Sequence, residues 1–433
     1  MKVPPRIIAP VVLAIVCAGV LMAFLWWQLT QSTLLTHGNT FHDTSIMGIN
    51  PGSLTDEPIA NGDVSLLHLR QGDMLSLRGE WAEAQEEYAA AVEANGGLPA
   101  LRKLAQAQMQ RRDMRGVEST LKKMKNAGAR PEDILLLETI IDLRSGELIK
   151  AETVLKAADD SPQKHYGLAL LALIQGNHEQ AQQEIELTVN GWDPILRSYA
   201  RTLQSAYQEF ALFPEGSQLH RTTLLSRALA QVQECELALP LLVQVTSVKD
   251  DYRDAWIVQG YCELITERTE QSIASLEHAY SLDPQKSEIQ YFLARAYADM
   301  HEYQNAITFF EYALSNGFIP QDEVRRLIAQ NALEIGNAGL ALDQYEALTQ
   351  DTEATLEMFE GFTTAAVALG RPEDALAKAL QATEKWPRDA RAFELLGTVA
   401  AQVGQTDTAR SAFEQALKLN PNLLSAQEKL SKL

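Results

Sequence analysis

The stretch that decides the fold runs from Ala390 to Leu423 and reads ARAFELLGTVAAQVGQTDTARSAFEQALKLNPNL. Two helices approach closely only where both carry small residues, so Gly397 and Ala409 predict a helix crossing. Gly404 would turn the chain between the two helices, because glycine accepts turn conformations that other residues avoid. Phe393, Leu396 and Phe413 are the bulky residues that fill the space beside the crossing. Ala416 is the small residue that faces the next repeat, and Pro421 ends the second helix.

The same arrangement recurs along most of the chain. Five regular copies are spaced 34, 35, 34 and 34 residues apart and open at Arg253, Ser287, Asp322, Leu356 and Ala390. Five weaker copies open near Ser65, Leu98, Glu132, Pro162 and Leu219. A fixed period of this length is typical of helical repeats that stack to bury one continuous core. The sequence therefore predicts an all-α fold.

The pattern resembles that of the tetratricopeptide repeat family over residues 65–423. The resemblance implies a right-handed α-solenoid of about ten helical hairpins, with degenerate N-terminal repeats in 65–195 and C-terminal repeats in 219–423. It also implies that first helices line a concave groove where peptides or helices of other proteins bind. Residues 424–433 read as a helix that caps the last apolar edge.

Residues 196–218 are too short for a full repeat. They predict one long helix, roughly Ile195 to Leu212, followed by a break at Phe213-Pro214-Glu215-Gly216. Its aromatic residues are Tyr199, Tyr207, Phe210 and Phe213. The segment is either a packing spacer, a joint between two solenoid halves, or an added binding surface.

The N-terminus predicts a membrane anchor. Residues Ile7–Leu29 read IIAPVVLAIVCAGVLMAFLWWQL, with no formal charge. A helix of this length is about 34 Å long, enough to span a bilayer. Trp26 and Trp27 stand at its far end, where interfacial aromatic residues belong. Two alternatives compete: a cleaved signal peptide, for which the segment is too long, and a lipoprotein signal, for which Ile15-Val16 before Cys17 is a poor match.

The flanking charges predict the orientation of this anchor. Lys2 and Arg6 precede the span, whereas the first charges after it are acidic, beginning with Asp43 and Asp56. Positive charge stays inside, so residues 1–6 should be cytoplasmic. A flexible linker of residues 30–64 would then lead to repeats in the periplasm, or outside the cytoplasm more generally.

Charge and cysteine content exclude several classes of protein. The chain of 433 residues carries 37 basic and 57 acidic residues, a net charge of −20 that repels nucleic acid. Its three cysteines, Cys17, Cys235 and Cys262, form no CxxC pair, which argues against zinc and thioredoxin-like sites. Cys235 and Cys262 are either buried small hydrophobic residues or a disulfide.

No catalytic, cofactor-binding or metal-binding residues are predicted. The chain carries no phosphate-binding loop, dinucleotide fingerprint, HExxH or GxSxG motif. The histidines of the repeats are scattered, with no second ligand at metal-binding spacing. We therefore expect a protein that is not an enzyme and needs no cofactor.

The resemblance points to first-helix residues as partner contacts. Arginine and tyrosine are common at binding hot spots, and arginine can grip a carboxylate with two hydrogen bonds. The candidates for binding a peptide or helical segment, acidic or C-terminal, are Arg227, Tyr261, Tyr291, Arg295, Arg326 and Arg391. The competing interpretation is that these arginines merely pair with neighbouring glutamates such as Glu323 and Glu394.

The sequence thus predicts a membrane-anchored scaffold that holds other proteins outside the cytoplasm. The alternative is a fixed assembly subunit of an envelope complex that serves secretion, pilus formation, polymer export or cytochrome maturation. Transient clients would indicate a scaffold, and a constant stoichiometric partner would indicate a subunit.

Overall fold

The computed structural model describes residues 63–213, 215–421 and 423–433, and the regular structure of this part of the chain consists of helices without strands. Twenty of its 22 helices form ten consecutive pairs, which confirms the predicted all-α repeat fold. A single helix stands between the fourth and fifth pairs, and a short helix closes the chain. The helices group into two compact units, Met1–Lys249 (unit 1) and Asp250–Leu433 (unit 2).

Unit 1 contains five helix pairs and the single helix. The pairs are α1 (Val64–Leu77) with α2 (Trp81–Glu93), α3 (Gly97–Gln110) with α4 (Met114–Asn126), α5 (Pro131–Arg144) with α6 (Leu148–Ala157), α7 (Pro162–Ile174) with α8 (His178–Val189), and α10 (Gln218–Gln231) with α11 (Cys235–Val248). The single helix, α9, spans Pro194–Ala211 and packs against α8 and α10. It lies where the sequence predicted one long helix.

Unit 2 contains the five regular pairs and the closing helix. The pairs are α12 (Arg253–Ile265) with α13 (Thr269–Leu282), α14 (Ser287–Asp299) with α15 (Tyr303–Ser315), α16 (Gln321–Glu334) with α17 (Ala338–Thr349), α18 (Leu356–Ala368) with α19 (Pro372–Lys385), and α20 (Ala390–Gln402) with α21 (Thr406–Leu419). The closing helix, α22, spans Leu424–Ser431.

A close approach of the two paired helices is clear in the first and last pairs of unit 2. In the last pair, a side chain added at Gly397 would place its Cβ 2.7 Å from the ring of Phe413, which is 1% exposed. Ala409 is fully buried in the same cluster. Gly260 lies against Leu276 in the first pair of unit 2 in the same way. The small residue at this position therefore makes room for the large residue of the second helix.

The two helices of every pair are joined by a turn of three residues, and the middle residue always has a positive φ. Six of these middle residues are glycines, among them Gly404 with φ of 77°. The other four are Arg112, Gln233, Glu267 and His301. A non-glycine residue pays a steric cost in this conformation, so contacts in the folded state must hold it there.

The closing helix covers the end of the array, as its sequence predicts. Ala426 is fully buried, and Leu430 and Leu433 pack against the cluster around Phe413. Lys429 also binds the Glu394 carboxylate at 2.8 Å on the preceding first helix.

The predicted boundary at residues 196–218 differs from the division between the compact units, which comes after Lys249. The α10–α11 pair, which we grouped with the C-terminal repeats of 219–423, lies in unit 1. Its turn is tied to α3–α5 by buried ion pairs that are described below.

Cys235 and Cys262 are both fully buried thiols and do not form a disulfide. They behave as small hydrophobic residues, the first of the two predicted alternatives. The predicted membrane helix Ile7–Leu29 and nearly all of the linker lie outside the described residues. Among the helices that are described, none is both long and apolar enough to cross a membrane.

Candidate partner-binding faces

The first helices of unit 2 are the candidate binding surface, which we call the first-helix face. It consists of α12, α14, α16, α18 and α20. Three pairs of successive members contact each other directly: α12 with α14, α16 with α18, and α18 with α20. Side chains on neighbouring first helices are therefore close enough to act together on one ligand.

Two of the predicted arginines on this face are already paired with carboxylates. Arg326 binds Glu323 on its own helix at 2.7 Å. Arg391 donates two hydrogen bonds to Glu360 on α18, at 3.1 and 3.2 Å. Burial raises the pKa of Glu360, and Arg391 opposes this shift. Both arginines therefore pair with glutamates, as the competing interpretation expects. The partner of Arg391 is Glu360, however, and Glu394 binds Lys429 instead.

Arg295 has different surroundings on the same face. It donates a hydrogen bond of 3.4 Å to the hydroxyl of Tyr291. The carboxylates of Asp299 and Glu323 act on its charge without a direct ion pair to it among the described residues. One turn away on α14 lies Phe292, whose ring centroid is 5.1 Å from that of Tyr261 on α12. Both rings are half-buried. A half-buried aromatic pair thus lies beside a cation that forms no direct ion pair among the described residues, although Asp299 and Glu323 partly offset its charge.

Tyr291 belongs to the core, which corrects its prediction as a surface contact. Its side chain is 1% exposed. Phe318, in the loop between α15 and α16, stacks on it with centroids 4.2 Å apart and planes 9° apart. Arg295 covers the hydroxyl. Sequence position alone placed Tyr291 on the first-helix face, but the aromatic residue of the loop closes over it. Its role is to support Arg295.

Arg227 lies in unit 1 on α10, where it forms an ion pair with Glu209 of α9. Both side chains are 27% exposed. This pair ties the single helix to the next repeat, so Arg227 has a structural role already.

The first helices of unit 1 meet another part of the same chain. Arg144 ends the first helix α5 and donates to both oxygens of Glu234, at 2.9 and 3.2 Å. It also donates to the carbonyl of Gln233 at 3.1 Å, and Arg112 donates to the same carbonyl at 3.3 Å. Arg112 forms a further ion pair with Glu236. The α10–α11 turn therefore occupies this part of unit 1.

This cluster is buried, and its charges depend on each other. The side chains of Arg144 and Glu234 are each 4% exposed. Burial raises the pKa of Glu234, and Arg144 opposes that shift. Burial also opposes ionisation of Glu236, but Arg144 and Arg112 lower its pKa below the ordinary value. Removing one member would leave an unpaired charge inside the unit.

The described residues offer no site for a metal ion, because no three His, Cys, Asp or Glu side chains come together there. The histidines instead have local partners. His165 lies between Asp160 and Glu184, for example, with nitrogen–oxygen distances of 2.9 and 2.7 Å.

Comparison with solved structures finds other repeat proteins at low similarity. YrrB, described as a tetratricopeptide repeat protein with an unusual peptide-binding site, is 20% identical, with 44% of this chain and 98% of that chain covered and a TM-score of 0.38. PilW, a type IV pilus biogenesis factor, is 16% identical, with 50% and 100% covered and a TM-score of 0.39. Yeast Tom70 is 13% identical, with 85% and 94% covered and a TM-score of 0.32. Similarity at this level carries no inference about function.

No curated protein sequence matches the chain. Two family models do, and both describe the tetratricopeptide repeat. One matches residues 254–286, which contain α12 and α13. The other matches residues 364–423, which include the α20–α21 pair. Both matches fall in unit 2, where the predicted frame is most regular and Gly260 and Gly397 mark the helix crossings. Residues 254–286 and 364–423 of this chain are therefore tetratricopeptide repeats.

Proposed function

We propose that this chain is a membrane-anchored scaffold whose unit 2 binds an acidic segment or a free C-terminus of a partner protein. The coarser part of this function follows from the repeat itself, since tetratricopeptide repeats serve protein–protein interaction. The contact chemistry and the membrane anchor are the parts that we add.

The observation that carries the proposal is the group formed by Tyr261, Phe292 and Arg295. The two rings offer apolar area to a side chain of the ligand, and the arginine offers parallel hydrogen bonds to a carboxylate. Arg326 and Arg391 are largely neutralised by Glu323 and Glu360. In a protein with a net charge of −20, an arginine that forms no direct ion pair among the described residues is a local attraction for an acidic ligand.

The same comparison favours unit 2 over unit 1 as the binding unit. In unit 1 the guanidinium of Arg144 is buried against Glu234 and the carbonyl of Gln233. That is the kind of contact that an acidic peptide would make, and here the chain itself supplies it. In unit 2 the guanidinium of Arg295 forms no direct ion pair of this kind among the described residues, and only the through-space interaction with Asp299 and Glu323 opposes its charge.

The location rests on the N-terminal sequence. Ile7–Leu29 is long and apolar enough to span a bilayer, and Lys2 and Arg6 favour a cytoplasmic N-terminus. Both units would then lie in the periplasm or its equivalent. A reporter that is active only in the cytoplasm, fused after Leu433, should stay silent; activity of that fusion would contradict the proposed orientation.

Partner recovery from solubilised membranes tests the binding face. We expect Arg295→Glu to lose the proteins that the parent chain recovers, as quantified by mass spectrometry. The matched control is Arg410→Glu, which makes the same charge change at an exposed residue of the second helix α21. It should recover the same proteins as the parent chain. Equal recovery by both variants would refute the proposed face.

A further inference from the structure

The first and last described helices differ in how much apolar surface they expose. At the C-terminal end, α22 turns Ala426 and Leu430 toward the core. At the other end, the first described helix, α1, exposes a row of large apolar side chains. The exposed fractions are 53, 52, 57 and 57% for Val64, Leu67, Met74 and Leu77. An exposed apolar patch of this kind marks an interaction surface.

These four residues lie along one side of α1. They are separated by three, seven and three residues, spacings that keep them within an arc of about 140° on one side of the helix, with Val64 and Leu77 at its two edges. The order of these spacings is the same whether it is counted from the N-terminal or the C-terminal end of the helix. Asp63 precedes the row and Arg78 follows it, so the charges at its two ends are opposite.

We propose that the α1 face binds the α1 face of a second copy of this chain, with the two helices antiparallel. A two-fold axis near Arg70 and Gln71 would place Val64 against Leu77 of the second copy, and Leu67 against Met74. The same axis brings Asp63 of each copy to Arg78 of the other. A surface that is complementary to itself in this way is what a two-fold dimer requires.

Charge explains why the copies meet at this surface. The net charge of −20 makes two copies repel each other over most of their surfaces. Residues 63–78 are locally balanced, with Asp63 and Asp73 against Arg70 and Arg78. Asp73 is further neutralised by Lys103 at 2.8 Å. Parallel pairing would set like charges against each other at both ends, so the charges select the antiparallel arrangement.

Disulfide cross-linking of the full chain in detergent tests this arrangement. The background is Cys17→Ser, in which the remaining Cys235 and Cys262 are buried. Val64→Cys and Leu77→Cys chains are oxidised separately and as a mixture. Across α1 these positions are about 20 Å apart, so antiparallel helices bring position 64 only to position 77. We expect a cross-linked dimer in the mixture and none in either separate sample.

Ile149→Cys is the control, because Ile149 is 83% exposed but lies on α6. It should give no dimer. Dimers in the separate Val64→Cys sample would overturn the antiparallel arrangement. Absence of a cross-linked dimer in the mixture would overturn the proposal. Coverage of α1 by residues 30–62 of the same chain would give that result.

Exchange of the end charges supplies a second test. Asp63→Arg should weaken self-association about tenfold in sedimentation equilibrium, because it opposes Arg78 of the second copy. Asp63 also caps α1 through the amide of Leu66, and the variant loses that cap. Asp63→Arg combined with Arg78→Asp still lacks the cap but restores opposite charges. Association of the double variant should therefore recover, and failure to recover would count against the charge pairing.

Discussion

Arg144 and Glu234 form a buried ion pair at 2.9 Å, although 90 residues separate them along the chain. A repeat array normally contacts only its neighbours, so this pair joins parts of unit 1 that the repeat pattern does not join. Arg112 and Gln233 meet beside it, and both are non-glycine residues with positive φ in three-residue turns. The contact between the two turns therefore holds both strained residues in place.

Breaking this pair should destabilise unit 1 strongly. Arg144→Met leaves Glu234 buried without its partner, and we expect a loss of about 3 kcal/mol or more in the free energy of unfolding. Arg144→Met with Glu234→Leu should regain most of that loss, because no charge is left unpaired. Urea denaturation followed by circular dichroism measures both. Arg130→Met, at a residue whose side chain is 68% exposed, is the control and should cost less than about 1 kcal/mol.

The helix crossing in the last pair can be tested by overpacking. Gly397→Ala places a Cβ 2.7 Å from the ring of Phe413 and should cost about 1–3 kcal/mol. Gly339→Ala is the matched control, since its nearest neighbour would be the Asn337 side-chain oxygen at 3.8 Å. The melting temperature should fall for Gly397→Ala and stay near the parent value for Gly339→Ala. Equal melting of the two variants would mean that this position does not set the helix distance.

Removal of α22 should expose the end of unit 2. Termination after Leu423 uncovers the cluster of Phe413 and Ala416, against which Leu430 and Leu433 pack. We expect this chain to aggregate in light scattering, whereas Leu424→Ser, at a residue that is 75% exposed, should remain dispersed. A truncated chain as well dispersed as the parent would show that α22 is not needed as a cap.

Acid should weaken unit 1 through His178. Burial, together with the positive charge of Arg221, lowers the pKa of His178 below its ordinary value of 6.5. In the unfolded chain the His178 pKa keeps its ordinary value, so the unfolded chain binds a proton more readily than the folded chain does. The stability that comes from keeping His178 neutral is therefore present above pH 6.5 and is lost as the pH falls through the folded-state pKa. His178→Gln should therefore lose less thermal stability than the parent between about pH 7.5 and 5.5. An equal loss in both chains would argue against this role.

Local spacing was sufficient to predict the helix pairs. The frame that placed Gly397 and Phe413 needs only neighbouring residues, and their contact appears as expected. The pairing of Arg326 with Glu323 was also foreseeable, since residues three apart share a helix face. The closing helix followed from the apolar edge that it covers.

Contacts made by loops and by distant repeats could not be predicted in this way. Tyr291 has the spacing of a surface residue, but Phe318 reaches it from a loop outside the frame. The pair of Arg144 and Glu234 joins residues 90 positions apart, and no single repeat encodes such a contact. One signal was available: the α10–α11 turn carries Gln233 where most pairs carry glycine.

Site-specific photo-cross-linking in the native membrane tests the central claim most directly. A photoreactive phenylalanine analogue at Tyr261, on the first-helix face, should form an adduct with a partner protein. The same analogue at Glu414, an exposed residue of the second helix α21, should not. The Tyr261 adduct should disappear when Arg295→Glu is added. An adduct at Glu414 alone, or a Tyr261 adduct that survives Arg295→Glu unchanged, would contradict binding at this face.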